Sequence, residues 1–153
     1  MKTKSLLNQL MEYYDIPKNK VIIQKFAKKY SHSAGMASKS KVYINKKHIN
    51  SPNVFVTLLH EYIHMTFRGT CNPDYDDIPL IDSFIESHQP KMDFAFEMFR
   101  QEQYTDLLAM MLFNEFCMAM GIKPKEVSCL YFTNEMDAFY LVYKDLFNEE
   151  PEF

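Results

Sequence analysis

Leu6, Leu7, Leu10, Met11 and Tyr14 recur every three or four residues, the period of a helix with one buried stripe. They predict a first helix, which the stretch from Asp15 to Pro17 ends. The period then shortens. "KVIIQKF", near residues 20 to 26, and "KSKVYINKK", near 39 to 47, are short and rich in β-branched and aromatic residues, as strands are. Between them "YSHSAGMAS" holds one of only three glycines and predicts a turn with a further short strand. Helical spacing resumes in "INSPNVFVTLLHEYIHMTFRGT", where Ser51 suits the N-cap, Pro52 the first helical position and Gly69 the left-handed residue past the end. "CNPDYDDIPLIDSFIESHQP" has three prolines and five acids without a period, and reads as an irregular excursion. "KMDFAFEMFRQEQYTDLLAMMLFNEFCMAMG" is a second long helical pattern with at most one break, entered after Pro90 and ended by Gly121. "TNEMDAFYLVYKDLFNEE" supplies a last helix. One α+β domain spanning residues 1–153, with a small, mostly antiparallel sheet, accommodates this order. The strand near Val42 to Asn45 is expected at the sheet edge, where an extended peptide adds as another strand.

Composition narrows the class of protein. With 47% apolar and 24% charged residues, 153 residues suffice for one buried core. No segment has the unbroken apolar length of a membrane span, and the N-terminus lacks the apolar run and cleavage site of a secretory signal. Cys71, Cys117 and Cys129 are odd in number and widely spaced, which predicts reduced thiols and a cytoplasmic protein. The net charge of −3 hides an asymmetry: nine lysines and no acid lie between Ile16 and His60, leaving −12 on the rest. Such a run either keeps a sheet edge soluble or meets an acidic partner. A nucleic acid meeting the region from Lys18 to Lys47 is therefore a candidate partner, though not the favoured one.

The chemistry lies in "TLLHEYIHMTFRG". An α-helix turns about 100° per residue, so His60 and His64 share a face one turn apart and two imidazole nitrogens can reach one ion. Glu61 stands beside that face, where it can address a water on the metal without ligating it. This is the H-E-x-x-H arrangement of zinc peptidases. Shuffling this composition would produce it in roughly one sequence per hundred. The alternative, a pair of satisfied core histidines, needs partners for two buried imidazoles flanking a carboxylate.

A catalytic zinc takes three protein ligands and keeps one position open. Phe67 and Thr70 stand where a metzincin would place its Gly and third His. Glu102 is one candidate third ligand. Asp106, four residues on, shares its face and is placed to accept a hydrogen bond from the outer N–H of a ligating imidazole. His88, in "SHQPKMDFAFEMF", is the other main candidate, while Glu86, Glu97 and the aspartates of the excursion are chemically acceptable.

"TLLHEYIH" followed by "RQEQYTDLLAMMLF" resembles the ImmA/IrrE-type metallopeptidases, gluzincin-like enzymes often carried by phages and mobile elements, over about residues 40 to 115. In that family the H-E-x-x-H helix is followed by an E-x-x-x-D helix. The resemblance implies a compact zincin-like domain, zinc as cofactor, a protein or peptide substrate, His60, His64 and Glu102 as ligands, Glu61 as general base and Asp106 behind a ligand. The segment around His88 resembles the third-histidine segment of SprT-like zinc proteases, which act on DNA-bound proteins. A non-catalytic module that uses zinc only as a staple is the remaining alternative. Tyr62, Tyr104, Tyr131 and His88 are candidate donors to a developing oxyanion.

Overall fold

The computed structural model describes residues 3–66, 88–123 and 135–150. Among these residues there are four α-helices and one three-stranded sheet: α1 (Thr3–Tyr13), β1 (Val21–Gln24), β2 (Gly35–Ala37), β3 (Val42–Asn45), α2 (Val54–Thr66), α3 (His88–Met120) and α4 (Glu135–Phe147). The class is α+β. The described residues fall into two compact units, 3–66 with 107–123 and 88–106 with 135–150. The long helix α3 contributes its first part to the second unit and its last part to the first.

In the first unit, α1 buries Leu7, Leu10 and Met11, the stripe its spacing predicts. It stops because Asp15 takes φ 53°, the left-handed conformation that a short polar side chain tolerates. The Ile16 N–H then donates to the Met11 carbonyl at 2.8 Å, and the buried Ile16 side chain seals the end. Tyr14 ties the next turn to the last part of α3, its hydroxyl donating to the Leu112 carbonyl and meeting Glu115 at 2.9 Å.

The sheet order is β1-β3-β2, with β1 parallel and β2 antiparallel to β3. The sheet is thus mixed, and β3 is central instead of lying at the edge. The reason is burial: Val42 and Ile44 are 0% and 1% exposed, and a strand that apolar is best placed with both of its hydrogen-bonding sides covered. The edges fall to β1 and to β2, which is three residues long and is joined to β3 by a four-residue loop. Ser38 closes that loop, its N–H donating to the Lys41 carbonyl at 2.8 Å and its Oγ accepting from the Lys41 N–H at 3.0 Å.

Helix α2 packs on β2 and β3. It begins at Val54, later than Ser51 and Pro52 suggest, because residues 51–54 form a turn first. The Val54 N–H donates to the Ser51 carbonyl at 3.1 Å, and the regular helical pattern opens with Thr57 N–H to Asn53 at 2.9 Å. Weak helix formers such as Val54 and Val56 are held there by burial, both under 7% exposed. Gly69 and the excursion at 71–87 lie outside the described residues.

Helix α3 runs unbroken for 33 residues and starts at His88, with Pro90 inside its first turn, where a missing N–H costs no hydrogen bond. Stepping about 100° per residue, Ala95 and Phe99 in its first part and Ala109, Phe113, Phe116 and Cys117 in its last fall on one side of the helix, and all are buried. Phe113 stacks on Phe55 with ring centroids 5.2 Å apart. The helix ends at Gly121, whose φ of 67° favours glycine, with Ile122 N–H returning to Cys117 at 2.8 Å and Gly121 N–H to Met118 at 3.3 Å.

In the second unit, the first part of α3 meets α4 through Ala95, Phe99, Ala138, Phe139 and Tyr143. Phe99 and Phe139 pack edge to face at 6.0 Å, and Lys91 pairs with Glu149 at 2.8 Å. Among the described residues no helix is long and apolar enough to cross a membrane.

Candidate metal centre

The two histidines of α2 are buried, each 7% exposed, and each directly follows a buried apolar residue of the helix, Leu59 and Ile63. Their Nε2 atoms are 2.9 Å apart and the rings stand edge to face, with centroids 4.6 Å apart and planes at 74°. The two nitrogens therefore converge on one point. Either one ring donates Nε2–H to the other's lone pair, or both lone pairs face a cation. Two ligands about 2.0–2.1 Å from a tetrahedral zinc are roughly 3.3–3.4 Å apart. The pair would need to open by only about half an ångström to meet that geometry.

Glu102 joins them. One ligand atom from each of His60, His64 and Glu102 lies within 4.8 Å of the others, so the three form a group that can hold a metal ion. Counted around α3, Glu102 and Asp106 fall within about 20° of the centre of the stripe otherwise made of Ala95, Phe99, Ala109 and Phe113. Asp106 is 9% exposed, and its neighbour Thr105 is fully buried, its Oγ1 donating back to the Gln101 carbonyl at 2.8 Å. Carboxylates within an apolar stripe cost free energy unless cations or donors meet them. The donor set of two imidazoles and a carboxylate suits zinc, which binds N and O ligands of this kind.

Among the described residues, no other candidate belongs to this group. His88 starts α3, fourteen residues before Glu102 and so about 21 Å back along the helix axis; its side chain lies outside the described residues. Glu97 is exposed, and Glu86 and the aspartates at 74–82 lie outside the described residues. Tyr104, two positions after Glu102, projects about 200° round from it, is 53% exposed and takes a hydrogen bond from Arg100 at 3.1 Å. Tyr62 is half-buried beside Glu61 in sequence, and Tyr131 lies outside the described residues. His32 is exposed, and His48 is half-buried with Nε2 3.3 Å from the Ser31 carbonyl.

Glu61 is half-buried, next to His60 on the flank of α2 that faces β2. What holds it there is Gly35. A Cβ at this position would stand 2.7 Å from Thr57 Cγ2, 3.0 Å from Glu61 Cγ and 3.2 Å from the Tyr43 carbonyl oxygen. Strand β2 thus lies against the helix so closely that only a glycine fits, and its backbone walls one side of Glu61. Gly35 is a residue that motif reading overlooks. Its signal is a glycine inside a strand, which marks a close backbone approach. Scans against protein-family models, curated proteins and solved structures found no match for this chain.

Proposed function

We propose that the protein is a zinc-dependent metallopeptidase of ImmA/IrrE type with a zincin-like fold, cleaving a protein or peptide substrate. The observation that carries this reading is the convergence of His60, His64 and Glu102 within 4.8 Å, with Glu61 adjacent in the same helix. Two imidazoles and one carboxylate leave room for a fourth position, which is the arrangement of catalytic zinc sites. When bound, zinc supplies Lewis acidity that makes water a nucleophile near neutral pH and polarises a carbonyl.

The residues of the chain do the rest. His60 and His64 would present imidazole nitrogens to the metal. Asp106, buried on the face of Glu102, is placed to orient a ligand through a hydrogen bond to its outer atom. Glu61 takes the proton of the attacking water and passes it to the leaving amine. An extended peptide would lie along β2, the edge strand beside Glu61, instead of β3. The free, buried thiol of Cys117 is in keeping with a cytoplasmic setting.

The test is Glu61→Gln, which keeps the shape and removes the base. It should abolish cleavage across a panel of unfolded protein substrates while zinc content stays near that of the wild type. Undiminished turnover in Glu61→Gln would refute the mechanism. Wild-type protein that holds zinc and cleaves nothing would instead point to a structural staple.

A further inference from the structure

A cavity of about 760 Å³ in the first unit has walls formed by Lys25, Phe26, Lys28, Ser31, Lys46 and Lys47. None of the residues of the metal group lines it. Four of its six lining residues carry ammonium groups, and among the described residues none of the four is ion-paired with a carboxylate. Lys18, outside the cavity, is paired with Glu12 at 3.2 Å. Like charges gathered around one space repel one another, and an anion bound there removes that repulsion.

The cavity is also built, in the sense that a buried side chain fixes its walls. Two 3₁₀ turns, Lys28–Tyr30 and Lys46–His48, bring three of the four lysines to it, Lys28, Lys46 and Lys47. Asn45, 1% exposed, clamps them together. Its Nδ2 donates to the carbonyls of Ser31 at 3.1 Å and Ser33 at 2.8 Å, and its Oδ1 accepts the Lys47 N–H at 3.1 Å. The Ser31 carbonyl is also 3.3 Å from His48 Nε2. The two lysine-bearing turns are therefore held together before any ligand arrives.

We propose that this cavity binds phosphate groups, and that its occupant is the backbone of a nucleic acid strand. Lysine is a point-charge ligand that suits phosphate without reading a base. The volume falls among those of small-molecule sites, roughly 300–1,000 Å³, and so exceeds the needs of one phosphate. Five further lysines, Lys18, Lys20, Lys29, Lys39 and Lys41, extend the basic run around the cavity residues, with no acid from Ile16 to His60. A chain of phosphates uses such an extended field, whereas a single anion does not. The remainder of the chain, at −12, repels a polyanion and confines it to this region.

The probes are a short fluorescent oligonucleotide, single-stranded and as a duplex, followed by anisotropy, and inorganic tripolyphosphate as competitor. Both oligonucleotide forms should bind without sequence preference. If each cavity lysine meets one phosphate, the slope of log affinity against log salt for the single strand should be about −3. Lys46→Gln with Lys47→Gln should weaken binding roughly tenfold and halve that slope. Lys39→Gln with Lys41→Gln, outside the cavity wall, should change it less. Lys25→Gln with Lys28→Gln provides a second cavity variant, and unfolding midpoints verify that each variant is folded. Absence of binding at low salt, or equal losses in cavity and control variants, would overturn the proposal. Tripolyphosphate binding without oligonucleotide binding would overturn the nucleic acid occupant.

Discussion

Replacing Gly35 by alanine tests how β2 is seated on α2. The added methyl would meet Thr57 Cγ2 at 2.7 Å and Glu61 Cγ at 3.0 Å, both inside ordinary carbon contact, and the Tyr43 carbonyl at 3.2 Å blocks retreat toward β3. Overpacking of this kind costs about 1–3 kcal/mol, a sizeable part of the roughly 5–15 kcal/mol that holds a domain folded. Thr57→Ser removes Cγ2 and nothing else, so it should cost about 0.8 kcal/mol alone, the worth of one buried methyl group. In the Gly35→Ala background it should instead recover stability, giving a coupling of about 1 kcal/mol in a double-mutant cycle. Equilibrium urea unfolding of the four proteins, with chelator present throughout, reads these values. The residual contact with Glu61 remains in the double variant. Its stability should therefore return further than its peptidase activity. A Gly35→Ala protein as stable as the wild type, or a cycle with no coupling, would refute the close seating of β2 beside Glu61.

Gly121→Ala should destabilise by about 1 kcal/mol through its left-handed backbone alone, since no atom lies within 4 Å of the added Cβ; urea unfolding would register it with no change in metal content. Burial pushes the Cys117 thiol above its ordinary value of 9.0, so the folded state favours the neutral thiol. Its contribution is complete below the unfolded pKa and is lost as pH rises through the folded one. The wild type should lose more stability than Cys117→Ala as pH rises past about 9, and peptide-resolved alkylation should find Cys117 protected until the protein unfolds.

Much of the fold follows from periodicity. The stripes of α1 and α4 and the pairing of His60 with His64 depend only on neighbours a turn apart, so the spacing alone locates them. Glu102 is different, because its approach to the histidines depends on a long-range placement that spacing does not encode. Its trace in the sequence is the interruption of an apolar stripe by Glu102 and Asp106, which is visible once α3 is taken as one continuous helix. The centrality of β3 was less legible, since lysines at both of its ends suggested an edge while Val42 and Ile44 were the better guide. Asn45 carries no periodic signal at all. Its role arises from two turns that meet only in the folded chain.

Zinc content measured after dialysis against buffer with a small excess of the metal tests the central claim most directly. The account predicts close to one zinc per chain in the wild type, loss of that zinc in His60→Ala and His64→Ala, and much weaker retention in Glu102→Ala, with all three variants still folded. A wild-type protein that retains no zinc, or a His60→Ala variant that retains as much as the wild type, would contradict it.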